Sequence, residues 1–125
     1  MLPRILVAED DVINQKLIGL LFQRTGIVPV IVGDGLQAFE AACSQPFDMI
    51  FMDMMMPEMD GMTAAKQILS STTAWPPPVI VAMTAGLDNQ QQHRFQEAGI
   101  KDTLMKPFTA QSLKDMLEKW GHLLS

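Results

Sequence analysis

Residues 49–61 read MIFMDMMMPEMDG, an apolar run carrying one carboxylate, Asp53, followed by a proline and an Asp-Gly pair. The run at 47–52 reads as a strand, apolar on both faces beyond Asp48, as in a parallel sheet covered by helices. Burying an unpaired carboxylate at the end of such a strand costs several kcal/mol in practice. Asp53 is therefore either a solvated loop or capping residue, or one member of a group of charges that compensate each other.

The same alternation continues on both sides. RILVA (4–8) is a strand ending at Glu9-Asp10-Asp11. VINQKLIGLLFQRTG (12–26) is a helix whose apolar stripe runs through Ile13, Leu17, Leu20 and Leu21, closed by Gly26. IVPVIV (27–32) is a second strand, and Pro29, with no N–H to donate, assigns it to the sheet edge. A helix over 34–46 follows, with Asp34 as N-cap and Pro46 past its end. After the strand at 47–52 come a helix over 60–71, a stiff loop and strand over 75–83, and a polar helix over 87–99 ended by Gly99. A strand over 100–105 and a helix over 109–124 complete the chain.

Five strand–helix units in series, with near-continuous apolar strands, imply an α/β fold built on a parallel sheet with helices on both faces. The crossovers are right-handed, and the functional loops lie at the carboxyl ends of the strands. At 125 residues the chain has the length of one domain and leaves no segment over for a second.

Composition narrows the classes of function. A net charge of −5 argues against a nucleic-acid surface, which shows a clustered basic face. The apolar runs fall well short of the roughly 20 residues that span a bilayer. The opening Met1-Leu2-Pro3-Arg4 is too short for a signal peptide, so a cytoplasmic location is expected. The lone Cys43 excludes an internal disulfide and reads as a small buried helix residue. His93 and His122 lack zinc-type spacing and read as surface residues.

Four of the five runs end abruptly in a polar residue: Glu9-Asp10, Asp53, Thr84 and Lys106. Parallel strands all point the same way, so these ends share one rim. Singly, each has an ordinary reading: Asp53 as a cap, the acids at 9–11 as a helix first turn, Thr84 as a cap, Lys106 as a surface charge. Their coincidence at equivalent strand ends favours a site. Three crowded carboxylates repel unless a cation joins them, and oxygen ligands with room for water favour Mg²⁺, or Mn²⁺, over zinc. Such an ion and a lysine together make a pocket suited to a phosphoryl group. Carboxylates accept phosphoryl groups as aspartyl phosphates, and Asp53, at the middle of the rim, is the natural acceptor.

From ILVAEDD through MDMMMPEMDG and VIVAMTA to EAGIKDTLMKPF, the chain resembles the receiver (response-regulator) domain of two-component phosphorelays, most of all the receivers of hybrid sensor histidine kinases. The resemblance covers essentially residues 1–125 as one receiver domain. It implies a doubly wound, flavodoxin-like sheet in the order 2-1-3-4-5 with five helices. It implies Asp53 as phosphoacceptor, and Glu9 and Asp10 as the pair holding Mg²⁺, Asp10 directly and Glu9 through water. The backbone carbonyl of Met55 is a further ligand, Thr84 the hydroxyl that meets the phosphoryl group, and Lys106 the ammonium that pairs with it. The Lys106-Pro107 bond is expected to be cis. Asp11 stands at a variable position and is not a ligand, and Asp60 reads as a helix cap. The partners implied are a histidine kinase or histidine phosphotransfer domain, docking near Asn14, Ile18 and Phe108, with Leu17 read as core. A monomer is expected, with no direct nucleic-acid contact.

Two departures stand out. Thr103 occupies the position, three before the lysine, where the family often has an aromatic switch residue. Met55 and Gly86 stand where side chains often orient the hydrolytic water, which implies slow self-dephosphorylation. An aspartyl-phosphate hydrolase would need a second Asp at the position of Met55. A flavodoxin-like cofactor binder would need a phosphate-cradling hydroxyl- or glycine-rich loop after the first strand, where Glu9-Asp10-Asp11 would repel the anion. A non-phosphorylated pseudo-receiver, acting purely as an interaction module, is the alternative that keeps every motif.

Overall fold

The computed structural model describes residues 3–55, 60–71, 76–86 and 88–121. The turn expected at Pro57 and the surface position expected for His122 lie outside them. The chain alternates β1 (Ile5–Ala8), α1 (Val12–Gln23), β2 (Val30–Val32), α2 (Gly35–Ser44), β3 (Met49–Asp53), α3 (Gly61–Ser71), β4 (Val79–Thr84), α4 (Asn89–Glu97), β5 (Asp102–Met105) and α5 (Ala110–Gly121). All strand pairs are parallel, in the order β2-β1-β3-β4-β5. That is the doubly wound, 2-1-3-4-5 arrangement expected, with β2 at an edge. No helix among the described residues is long and apolar enough to cross a membrane.

Strand alternation sorts the core into two layers. Leu6 and Ala8 of β1 and Ile50 and Met52 of β3 pack with Ala38 and Ala42 of α2, Ala64 and Ile68 of α3, and Phe95 of α4. Ile5, Val7, Met49 and Phe51 point the other way, against Ile18 and Phe22 of α1 and Leu113 of α5. Phe22 meets Phe51 edge-on, with ring centroids 5.7 Å apart. β3, in the middle, is buried along its whole length, Asp53 included.

Local chemistry sets the helix ends. Asp11, Asp34, Asp60 and Asp88 each accept a hydrogen bond from a backbone N–H in the first turn of the following helix. Gly26 (φ 79°) and Gly99 (φ 89°) turn the chain after α1 and α4 in the left-handed region that glycine tolerates. Elements run shorter than their apolar patterns: β2 starts only at Val30, because Pro29 and the exposed Val28 make no ladder, and α4 starts at Asn89 behind its cap Asp88.

Three expectations are corrected. The stripe Ile13, Leu17, Leu20 of α1 faces outward, and the helix packs instead through Ile18 and Phe22, one turn apart, with Leu21 half-buried. Ile18 is thus 3% exposed and Leu17 50%, reversing the expectation that Ile18 was a surface contact and Leu17 core. Cys43 is exposed, because α2 buries its small residues Gly35, Ala38 and Ala42 against β1 and α3, which turns the next position outward.

Candidate functional site

The carboxyl end of the sheet gathers the rim residues. Asp53 closes the central strand, 5% exposed; Glu9 follows β1, 1% exposed; Asp10, next along, is exposed. Lys106, just past β5, reaches between the two buried acids, its Nζ 3.2 Å from Glu9 Oε2 and 3.2 Å from Asp53 Oδ2. The adjoining Lys106–Pro107 bond is cis. Two buried carboxylates that would repel are thus held by one shared ammonium, which answers the cost of burying Asp53.

Electrostatics follow from this packing. Burial pushes the Glu9 carboxyl above its ordinary range, and contact with Asp53 pushes it further, against the opposing pull of Asn14 and Lys106. For Lys106, burial favours the neutral amine, but Asp53 and then Glu9 outweigh it and hold the ammonium pKa above its ordinary value. Lys106 is therefore a fixed cation at neutral pH.

Carboxylate oxygens of Glu9, Asp10 and Asp53 lie within 4.8 Å of one another. An all-oxygen, two-buried and one-exposed donor set fits a hard divalent cation that keeps several waters, the behaviour of Mg²⁺. Asp10 makes no hydrogen bond or ion pair among the described residues, so its carboxylate is available for an ion. Asp11 is committed elsewhere: its Oδ1 caps α1 by accepting from the Ile13 amide at 2.8 Å. The three consecutive acids thus divide into a buried member, an open member and a helix cap.

Just past β3, the Met55 amide donates back to Asp53 Oδ1 at 3.0 Å. The Met55 side chain is 82% exposed, so only its backbone faces this cluster. Thr84 ends β4, but its hydroxyl is spent within its own loop, donating to the Gly86 carbonyl at 2.8 Å. Thr103 is half-buried on β5, in a shallow hollow with Gln92 and Phe95 of α4.

Beside the acids runs a mainly apolar groove, walled by Asn14, Leu17 and Leu21 of α1 and by Pro107 and Phe108. The structure brings Asn14, Ile18 and Phe108, all expected at a docking surface, to this groove, Ile18 as a buried part of its lining and Leu17 exposed on its lip. Two residues carry more than the sequence reading assigned them. Gln15 donates from Nε2 to the Glu9 carbonyl at 2.6 Å, and Gly61 lies against the Asp53 backbone. Nothing in the local pattern marked either, because both contacts form across loops.

Comparison with known proteins agrees with this geometry. Residues 5–118 match the family model described as "Response regulator receiver domain". The chain is 32% identical over 123 residues to the sensor histidine kinase GacS of Pseudomonas protegens, covering 97% of this chain and 13% of that protein. The receiver domain of sensor histidine kinase PA1611 from Pseudomonas aeruginosa, solved with a magnesium ion coordinated in its active-site cleft, superposes with a TM-score of 0.84 at 32% identity over 94% of this chain and 96% of that one. The receiver domain of Ssk1, solved in complex with the histidine phosphotransfer protein Ypd1 of Saccharomyces cerevisiae, gives a TM-score of 0.86 at 28% identity, covering 98% of this chain and 92% of that one. Across eight curated relatives the chain spans between 6% and 21% of their length. With a buried acid pair, an open acid and a bridging lysine at the carboxyl end of a 2-1-3-4-5 sheet, the chain belongs to the response regulator receiver domain family of two-component systems.

Proposed function

We propose that residues 1–125 act as one receiver domain that takes a phosphoryl group from a phosphohistidine onto Asp53. The observation that carries this reading is the Lys106 ammonium bridging Glu9 and Asp53 at 3.2 Å to each, beside a three-carboxylate cluster. In the transfer, an Asp53 carboxylate oxygen bonds to phosphorus as the histidine N–P bond breaks, and the imidazole leaves and takes up a proton. There is little else for the protein to do but position and neutralise charge.

Glu9, Asp10, Asp53 and the Met55 carbonyl would hold Mg²⁺, with Mn²⁺ as a substitute. Bound there, the ion neutralises negative charge on the phosphoryl oxygens. Lys106 pairs with a second phosphoryl oxygen when the transferred group displaces its contact to Asp53. Thr84 meets a third by releasing the Gly86 carbonyl. A histidine kinase or a histidine phosphotransfer domain is the partner, seated on the groove of Asn14, Leu17 and Phe108. The domain works as a monomer in the cytoplasm, without touching nucleic acid.

Intact-mass measurement after incubation with a small phosphodonor and Mg²⁺ tests this. One added phosphate, abolished by Asp53→Asn, is expected. No mass change in either protein would show a non-phosphorylated interaction module instead.

A further inference from the structure

Glu9 is held from three sides. Its Oε2 takes the Lys106 ammonium at 3.2 Å. Its Oε1 accepts from Asn14 Nδ2 at 3.2 Å and, at 3.3 Å, from the Asp11 amide. Its backbone carbonyl accepts from Gln15 Nε2 at 2.6 Å. Two successive amide side chains at the start of α1 therefore clamp the same residue, one at its head group and one at its main chain. Asp11, as N-cap, anchors the turn from which both amides project.

Resting on the reading of Glu9 as part of the cation site, we propose that Asn14 is a positioning residue of that site: its amide holds the Glu9 carboxylate in the orientation that divalent-cation binding requires. A glutamate has three side-chain torsions, and in a buried site the direction of its oxygens is set by whatever donates to them. Lys106 attracts the Glu9 carboxylate and Asp53 repels it. Without Asn14, Oε1 keeps only the Asp11 amide as a neutral donor, and the carboxylate can turn further toward Lys106, drawing that ammonium from Asp53 and its own oxygens away from the open Asp10. The Asp11 amide, at 3.3 Å against 3.2 Å for Asn14, backs the same oxygen, but as a main-chain group at the head of α1 it cannot follow the carboxylate as it turns. Outer groups that orient a ligating carboxylate typically govern 10–100-fold, on the order of one to two decades, of metal affinity or activity. Asn14 also stands in the wall of the apolar groove, so docking alone is the competing account of its presence.

The two accounts separate in a calorimetric titration of the whole chain with Mg²⁺ alone, with no phosphodonor and no partner. Asn14→Leu removes the donor and suits a wall already formed by Leu17, Leu21 and Phe108. Its Mg²⁺ affinity is expected to fall about tenfold or more, with Asn14→Gln, which keeps an amide, losing less. The rate of phosphorylation by a small phosphoramidate, which needs no groove, falls with it. Should Asn14→Leu fail to fold by circular dichroism, Asn14→Ser, too short to reach Glu9, takes its place with the same expected loss. Wild-type affinity in the folded Leu or Ser variant, or equal loss in the Leu and Gln variants, overturns the role of Asn14 alone. A wild-type chain that binds no Mg²⁺ overturns the cation site beneath it.

Discussion

Gly61 offers the sharpest test of how the acceptor strand is held. A methyl group added there would lie 2.3 Å from the Asp53 carbonyl oxygen, 2.6 Å from Met54 Cε and 3.0 Å from Met52 Cγ. Met52 Cγ, near the backbone of a fully buried residue, has little room, whereas Met54 Cε is the far end of a flexible side chain and can yield. The carbonyl cannot, because it belongs to the last residue of β3, which is paired with β1 on one side and β4 on the other. Gly61→Ala must therefore push α3 away from the sheet or bend the central strand. Overpacking of this kind typically costs about 1–3 kcal/mol, and a backbone partner places it in the upper part of that range. The better helix propensity of alanine offsets less than about 1 kcal/mol. The net expectation is a loss of about 2 kcal/mol, lowering the melting temperature by roughly 6–10 °C for a domain of this size. Urea unfolding followed by circular dichroism should show a lower midpoint at unchanged slope. Gly86→Ala, where nothing lies within 4 Å of the added methyl, is the matched control. A Gly61→Ala midpoint equal to or above wild type would refute the reasoning.

Other expectations follow from particular contacts. Ile18→Ala should cost about 2–4 kcal/mol, as for a buried aliphatic side chain, whereas Leu17→Ala should change stability by less than about 0.5 kcal/mol while slowing transfer from a phosphohistidine partner; the reverse ranking in urea melts would reassign the packed face of α1. Asp102 accepts from Lys119 Nζ at 2.6 Å, Trp120 Nε1 at 3.0 Å and the Thr103 amide at 2.8 Å. Although burial pulls its carboxyl up, those partners hold its pKa below the ordinary 3.8, so its stabilisation is full above that value and lost as pH falls through the lower folded-state value. Asp102→Asn should thus cost about 1 kcal/mol at pH near 7, the exposed lysine being partly screened, and the gap to wild type should close in acid; a gap independent of pH would discount the pair. The phosphorylated protein, with Met55 and Gly86 beside the site, should survive for minutes or longer in Mg²⁺, and decay within seconds would contradict that.

Much of the architecture was legible because short-range chemistry decides it. The apolar runs around Ile5–Ala8, Met49–Asp53 and Val79–Thr84 have no stable place except a sheet buried on both faces, and Pro29 can only sit at an edge. Gly26 and Gly99 announced their turns through the one property only glycine has. The family pattern, once the strand ends were aligned, named the acids and the lysine that the structure brings together.

The facing of α1 was not legible. With Val12, Ile13, Leu17, Ile18, Leu20, Leu21 and Phe22 all apolar, the helix has no clean stripe, and only contact with Phe51 and Leu113 selects Ile18 and Phe22 as the buried edge. Cys43 was misread for the same reason: a small apolar residue in a helix carries no sign of which way it faces. By itself, the sequence determined the order of elements, the edge strand, the helix caps at Asp34 and Asp60 and which residue types meet at the strand ends, since these depend on neighbours a few positions apart. The caps at Asp11 and Asp88 came only with the structure. Only the tertiary structure decided that Lys106 spans Glu9 and Asp53, that Asn14 and Gln15 clamp Glu9, and that Gly61 abuts the acceptor strand. The Lys106 contact joins residues 97 positions apart that only the assembled sheet brings together. The contacts of Asn14, Gln15 and Gly61, though short in sequence, depend on how the loops after β1 and β3 fold the following helix back onto the strand end.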